Sequence, residues 1–133
     1  TLVNVCEPFT SSQVFDLIIY GFFAYYAEDA ELDIVKANAL NALQPGGYLF
    51  VYDFLSRNGS VRQDSRNPSL MVHKRTLPFW IAHLREFDLI DFRLFDSQKG
   101  AQERMRSDFS TVDPDIPHDD MLWTFGALFR RKL

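Results

Sequence analysis

The sequence predicts an α/β fold in which parallel strands are followed by a C-terminal antiparallel strand pair. Three features predict it. Residues 15–20 (FDLIIY) form a nearly continuous apolar run, the pattern of a strand covered on both faces. A helical stripe and a Gln44-Pro45-Gly46-Gly47 turn then lead to a second run, residues 48–54 (YLFVYDF). The last two apolar stretches, residues 89–95 and 122–130, have no helical pattern between them, so the second is expected to return antiparallel to the first.

The elements follow in order. Residues 1–6 (TLVNVC) are β-prone and residues 7–13 turn-like. Residues 21–27 (GFFAYYA) form a ring-rich loop or short helical turn after the first strand. Asp29 is expected to cap the next helix, whose acidic first turn, Glu31 and Asp33, suits the positive end of the helix dipole. Leu32, Val35, Ala39, Ala42 and Leu43 share one stripe and should face the core. Pro45 ends the helix and the glycines after it accept positive φ. Strand, helix, turn and strand make one βαβ unit with a right-handed crossover. Residues 55–74 are polar, carry the turn signals Asn58-Gly59 and Asn67-Pro68, and predict a long loop with a short helix near Leu70. Thr76 caps a second helix, with Pro78 in its first turn and Leu77, Trp80, Ile81 and Leu84 on its buried side. In the strand at 89–95, Ile90, Phe92 and Leu94 share one face. Residues 97–120 are polar, and Asp108, Asp113, Asp115, Asp119 and Asp120 read as a solvated acidic excursion.

Composition narrows the function. The 13 Phe, 5 Tyr and 2 Trp should supply much of the buried area, which excludes a disordered chain. The length of 133 residues suits one domain but is short for a complete three-layer α/β enzyme. A net charge of −4 weighs against non-specific nucleic-acid binding. Cys6 is the single cysteine, so no internal disulfide forms, and a reducing, cytoplasmic setting is expected. No run is apolar enough to span a membrane, and residues 1–8 lack the pattern of a signal peptide. His73, His83, His118 and Cys6 have no metal-ligand spacing, so no metal is expected.

The run Phe15-Asp16-Leu17-Ile18-Ile19, a helix, and then Leu43-Gln44-Pro45-Gly46-Gly47 opening a strand together resemble class I S-adenosylmethionine (SAM)-dependent methyltransferases. The likeness is sharp over residues 14–54, and the closing helix and antiparallel pair extend it. It implies a partial Rossmann-like methyltransferase sheet, with residues 1–133 forming the C-terminal half of the domain and SAM as cofactor. The family's glycine-rich loop has no counterpart: Gly21, Gly46, Gly47, Gly59, Gly100 and Gly126 make no GxGxG. That loop lets backbone N–H groups approach the cofactor closely. Either the sequence is a fragment, or another chain supplies the rest, or the half-domain is a non-catalytic interaction module that dimerises through residues 15–20. A nicotinamide-binding Rossmann domain fits the Pro-Gly-Gly turn and the final antiparallel strand less well.

The resemblance also implies sites. Tyr20 and Gly21 fall beside the methionine part of SAM, mostly through backbone. Glu7, or Cys6, falls near the adenine. Tyr25 and Tyr26 are the rings of 21–27 expected to bind substrate, with Phe22 and Phe23 weighted to the core. Asp53, ending the second strand, is placed to orient or deprotonate an acceptor, and His73 is the second candidate base. Each has a plainer reading as a cap, an ion pair or a packing residue. Methyl transfer from SAM to an acceptor, a small molecule by the ring-rich rim, is the expected activity.

Overall fold

The computed structural model describes residues 3–64, 66–95 and 122–133. The acidic excursion and His118 lie outside the described residues. The elements are β1 (Phe15–Gly21), α1 (Asp29–Ala42), β2 (Leu43–Ser56), β3 (Ser60–Gln63), β4 (Met71–Lys74), α2 (Leu77–His83), β5 (Phe87–Leu94) and β6 (Leu122–Arg131). Four strands form one sheet in the order β1-β2-β6-β5. β1 and β2 are parallel, and β6 runs antiparallel to both β2 and β5. The expected α/β architecture is present, with the last strand inserted between β2 and β5 rather than added outside.

The alternation along β2 explains the layering. Leu49, Val51, Asp53 and Leu55 are buried on one face, with Phe125, Ala127 and Phe129 of β6 beside them. Both helices cover that face: the Tyr20 hydroxyl donates to the Val35 carbonyl of α1, and Trp80 of α2 lies 6.0 Å from the Phe125 ring. Tyr48, Phe50, Tyr52 and Phe54 point to the opposite face, where Phe95 packs on Tyr52 at 5.4 Å.

Five expectations change. Glu28, not Asp29, caps α1: its N–H donates to the Glu31 carboxylate at 2.8 Å, and Asp29 instead pairs with Arg75. The Pro-Gly-Gly turn lies inside β2, where pairing jumps from Phe15↔Leu43 to Leu17↔Tyr48. Residues 55–74 are not a long loop with a helix near Leu70 but contain the β3–β4 hairpin. Asp64 makes its turn, accepting from the N–H groups of Arg66 at 2.7 Å and Asn67 at 3.1 Å, so local side-chain bonding outcompetes a helix. Ile81 is 48 % exposed, because the short α2 turns Trp80 and Leu84 inward. A bulge between Leu89 and Asp91 breaks the alternation of β5, leaving Ile90 and Leu94 exposed while Phe92 reaches Phe125.

Gly47 is required by close approach. A Cβ there would lie 2.9 Å from the Gln44 carbonyl oxygen and 3.1 Å from that of Asp16, and neither backbone atom can move freely. Gly47→Ala is expected to cost about 1–3 kcal/mol in urea unfolding. A loss of a few tenths would show that the β1–β2 entry relaxes.

No helix among the described residues is long and apolar enough to cross a membrane.

Candidate functional site

The carboxyl ends of β1 and β2 lie side by side, the place where open α/β sheets bind ligands. The ladder ends as the Phe22 N–H donates to the Tyr52 carbonyl at 2.9 Å. Phe22 then takes φ +51, a left-handed conformation that is costly for a bulky residue and must be held by its surroundings. Two short turns follow, Tyr26 N–H to the Phe23 carbonyl and Ala27 N–H to the Ala24 carbonyl.

Three groups from other elements hold this loop. Asp53 accepts from the Ala24 N–H at 3.0 Å and from its own neighbour Phe54 at 2.7 Å. Arg75, between β4 and α2, donates to the carbonyls of Ala24 and Ala27 and to the Asp29 carboxylate at 2.8 Å. The His73 N–H donates to the Tyr25 carbonyl at 2.7 Å. Asp53 is 1 % exposed, and burial pushes its carboxyl up to about 6. The Phe54 and Ala24 N–H groups and the Arg75 charge oppose that rise.

The expected site residues divide. Tyr20, Gly21, Tyr25, Tyr26, Asp53 and His73 gather around this loop through the register and bonds just given. Tyr20 presents only its backbone there, since its ring is 4 % exposed against α1 and burial pushes its phenol upward. Gly21 is exposed, and a Cβ on it would meet nothing within 4 Å. Beside it stands a wall of rings: Phe22 lies 4.5 Å from Tyr52 and 5.2 Å from Phe54, and Tyr25 lies 5.1 Å from Phe54. Tyr26 lies 4.1 Å from Tyr25 and donates its hydroxyl to Asp64 at 2.8 Å, with burial the largest cause of its raised phenol. The imidazole Nε2 of His73 is buried and has no hydrogen-bond partner among the described residues. His73 also borders a cleft of about 280 Å³ with Asp29, Val61, Arg75 and Phe79.

Glu7 stands apart. Its carboxylate accepts from the Asn4 side chain at 3.1 Å, and its carbonyl accepts from Asn38 of α1 at 2.9 Å. Cys6 is half-buried, and burial, then Glu31 and Glu7, push its thiol up. No cluster among the described residues could hold a metal ion.

Sequence reasoning missed Arg75 and Asn38. Asn38 is 5 % exposed and also bonds Val5 and Phe9. A lone amide next to Ala39 on an apolar helical stripe was its available signal. Arg75, one of two adjacent cations just before the Thr76 cap, carried none.

No family model matches the sequence, and no curated protein does. Solved structures do match. A SAM-dependent methyltransferase from Methanosarcina mazei is 12 % identical, with a TM-score of 0.68 over 100 % of this chain and 66 % of its own. The 1,6-didemethyltoxoflavin-N1-methyltransferase of Burkholderia thailandensis, with bound 1,6-didemethyltoxoflavin and S-adenosylhomocysteine, is 15 % identical, with a TM-score of 0.68 over 98 % of this chain and 49 % of its own. The [4+2]-cyclase SpnF is 19 % identical, with a TM-score of 0.63 over 99 % of this chain and 54 % of its own. The fold is therefore that of class I SAM-dependent methyltransferases, and the chain spans from about half to two thirds of the length of these structures.

Proposed function

We propose that this chain forms the acceptor-side half of a SAM-dependent methyltransferase acting on a small molecule. One observation carries the reading: at the carboxyl edge of the parallel pair, Gly21 leaves open space beside the wall of Phe22, Tyr25, Tyr52 and Phe54. Solved structures of this fold include SAM-dependent methyltransferases, one of them with 1,6-didemethyltoxoflavin and S-adenosylhomocysteine bound. The bare backbone at Gly21 fits a cofactor that needs close approach. The Tyr20 and Gly21 backbone would line its methionine side. The glycine-rich loop that would hold its remainder is not among the 133 residues.

SAM supplies an electrophilic methyl group on a sulfonium. This chain's residues orient the acceptor and exclude water. The rings offer stacking faces to a flat acceptor and a favourable surface to a cation. Asp53, turned inward to two N–H groups, holds the loop rather than an acceptor proton. His73 is the remaining group that could accept one.

The test is Gly21→Leu in the natively expressed protein. Its melting temperature should not change, because the side chain enters open space, while affinity for S-adenosylhomocysteine falls at least tenfold. Unchanged affinity would count against the site. A second reading, an interaction module, is favoured by β1, an edge strand with Leu17 48 % and Ile19 62 % exposed. It predicts a dimer that Ile19→Lys dissociates in sedimentation, and no binding of S-adenosylhomocysteine.

A further inference from the structure

The Ala24 and Ala27 carbonyls lie in a loop, yet Ala24 is fully buried and Ala27 nearly so. A buried carbonyl without a donor costs about 1–3 kcal/mol. The Ala24 carbonyl accepts one bond from the Ala27 N–H at 3.1 Å; one side chain adds a second donor there and also donates to the Ala27 carbonyl. Arg75 reaches the loop from the β4–α2 junction, forks between the two carbonyls, and closes on Asp29 at the start of α1. Asp53, from β2, takes the N–H of the same Ala24. A single residue is thus gripped on both sides by opposite charges from separate elements. The grip is itself anchored: the guanidinium lies 5.1 Å over the Phe79 ring, and the Arg75 carbonyl accepts from the Ser56 N–H at the end of β2.

What the grip fixes is the ring wall. Tyr25 lies between the two clamped alanines, and Phe22, in its left-handed conformation, lies two residues before the first. We propose that Arg75 is a positioning residue that presents the Phe22 and Tyr25 rings to the acceptor by pinning the Ala24 and Ala27 carbonyls. The proposal rests on the methyl-transfer reading above. Lysine cannot replace arginine here, because one ammonium on a flexible stem cannot fork among three fixed acceptors.

The test is amide hydrogen exchange on the natively expressed protein and on Arg75→Lys, Arg75→Ala and Asp29→Asn. Asp29 is mostly solvent-exposed, so its variant removes one anchor without opening the core. The expected result is exchange at least tenfold faster at Ala24, Tyr26 and Ala27 in both Arg75 variants, with a smaller effect in Asp29→Asn. The β2 and β6 amides of Val51 and Ala127 should keep their protection. Methylguanidine should restore the loop amides in Arg75→Ala and leave Arg75→Lys unchanged, a rescue that general destabilisation would not give. Affinity for S-adenosylhomocysteine should fall in the same rank order. Loop protection that stays unchanged, or that is lost only together with the sheet in all three variants, would overturn the proposal. An unchanged loop in a protein that binds S-adenosylhomocysteine overturns the Arg75 role alone. A responsive loop in a protein that binds none overturns the methyl-transfer reading, and with it the assignment of the wall to an acceptor.

Discussion

Trp80→Ala is expected to lose about 3–5 kcal/mol of unfolding free energy, a large share of what a domain of this size holds. Trp80 is 1 % exposed and joins α2 to the sheet. Its ring lies 5.8 Å from Phe79, 6.2 Å from His83 and 6.0 Å from Phe125, which in turn packs on Phe92 of β5 at 5.8 Å. Truncation opens a void among rings that cannot collapse into it. Its indole N–H is buried and has no partner among the described residues, a penalty that phenylalanine would remove. Trp80→Phe should therefore cost less than half as much as Trp80→Ala. Equal losses in denaturant unfolding would show that the indole N–H, which both variants lack, makes a stabilising bond rather than standing unsatisfied.

Asp53→Asn should remove a pH dependence of stability. The Asp53 carboxyl is raised in the folded protein from 3.8 to about 6. Between those values the folded state binds more protons than the unfolded one. Stability from this group therefore falls as pH rises through that window, by something of order 3 kcal/mol, and is flat above it. His83 acts in the opposite sense: burial, and then the Lys36 charge, lower its imidazole, so its contribution grows as pH rises toward its unfolded value. The difference between the parent and Asp53→Asn isolates the carboxylate. The variant keeps an oxygen for one of the two N–H groups and faces the other with its own NH₂, so it gains less at neutral pH than the charge relief alone would give. A difference curve with no slope between pH 4 and 6 would mean that Asp53 is already ionised in the fold at acid pH.

Much of the architecture was legible because it follows from periodicity. The apolar run at β1, the stripe from Leu32 to Leu43 and the Pro-Gly-Gly turn are local patterns, and the lack of a helical pattern in the sequence between residues 95 and 122 made the antiparallel return of β6 readable. The β3–β4 hairpin was not legible. Its strands are four residues each, and Asp64 sets its turn with its own carboxylate rather than through a Gly-containing dipeptide. The bulge in β5 shows only in its register against β6, where Ile90 has no partner between Leu89 and Asp91. At the site, Gly21 and the rings could be placed from chain order alone. The use made of Asp53 could not, because its partners, Ala24 and the Arg75 charge, lie far away in sequence.

Titration calorimetry of S-adenosylhomocysteine into the natively expressed protein tests most directly the proposal that these residues belong to a SAM-dependent methyltransferase. Saturable binding at one site per chain, weakened by Gly21→Leu, is the predicted result. A folded protein that gives no binding heat at any temperature tried, and whose melting temperature the ligand leaves unmoved, would contradict it.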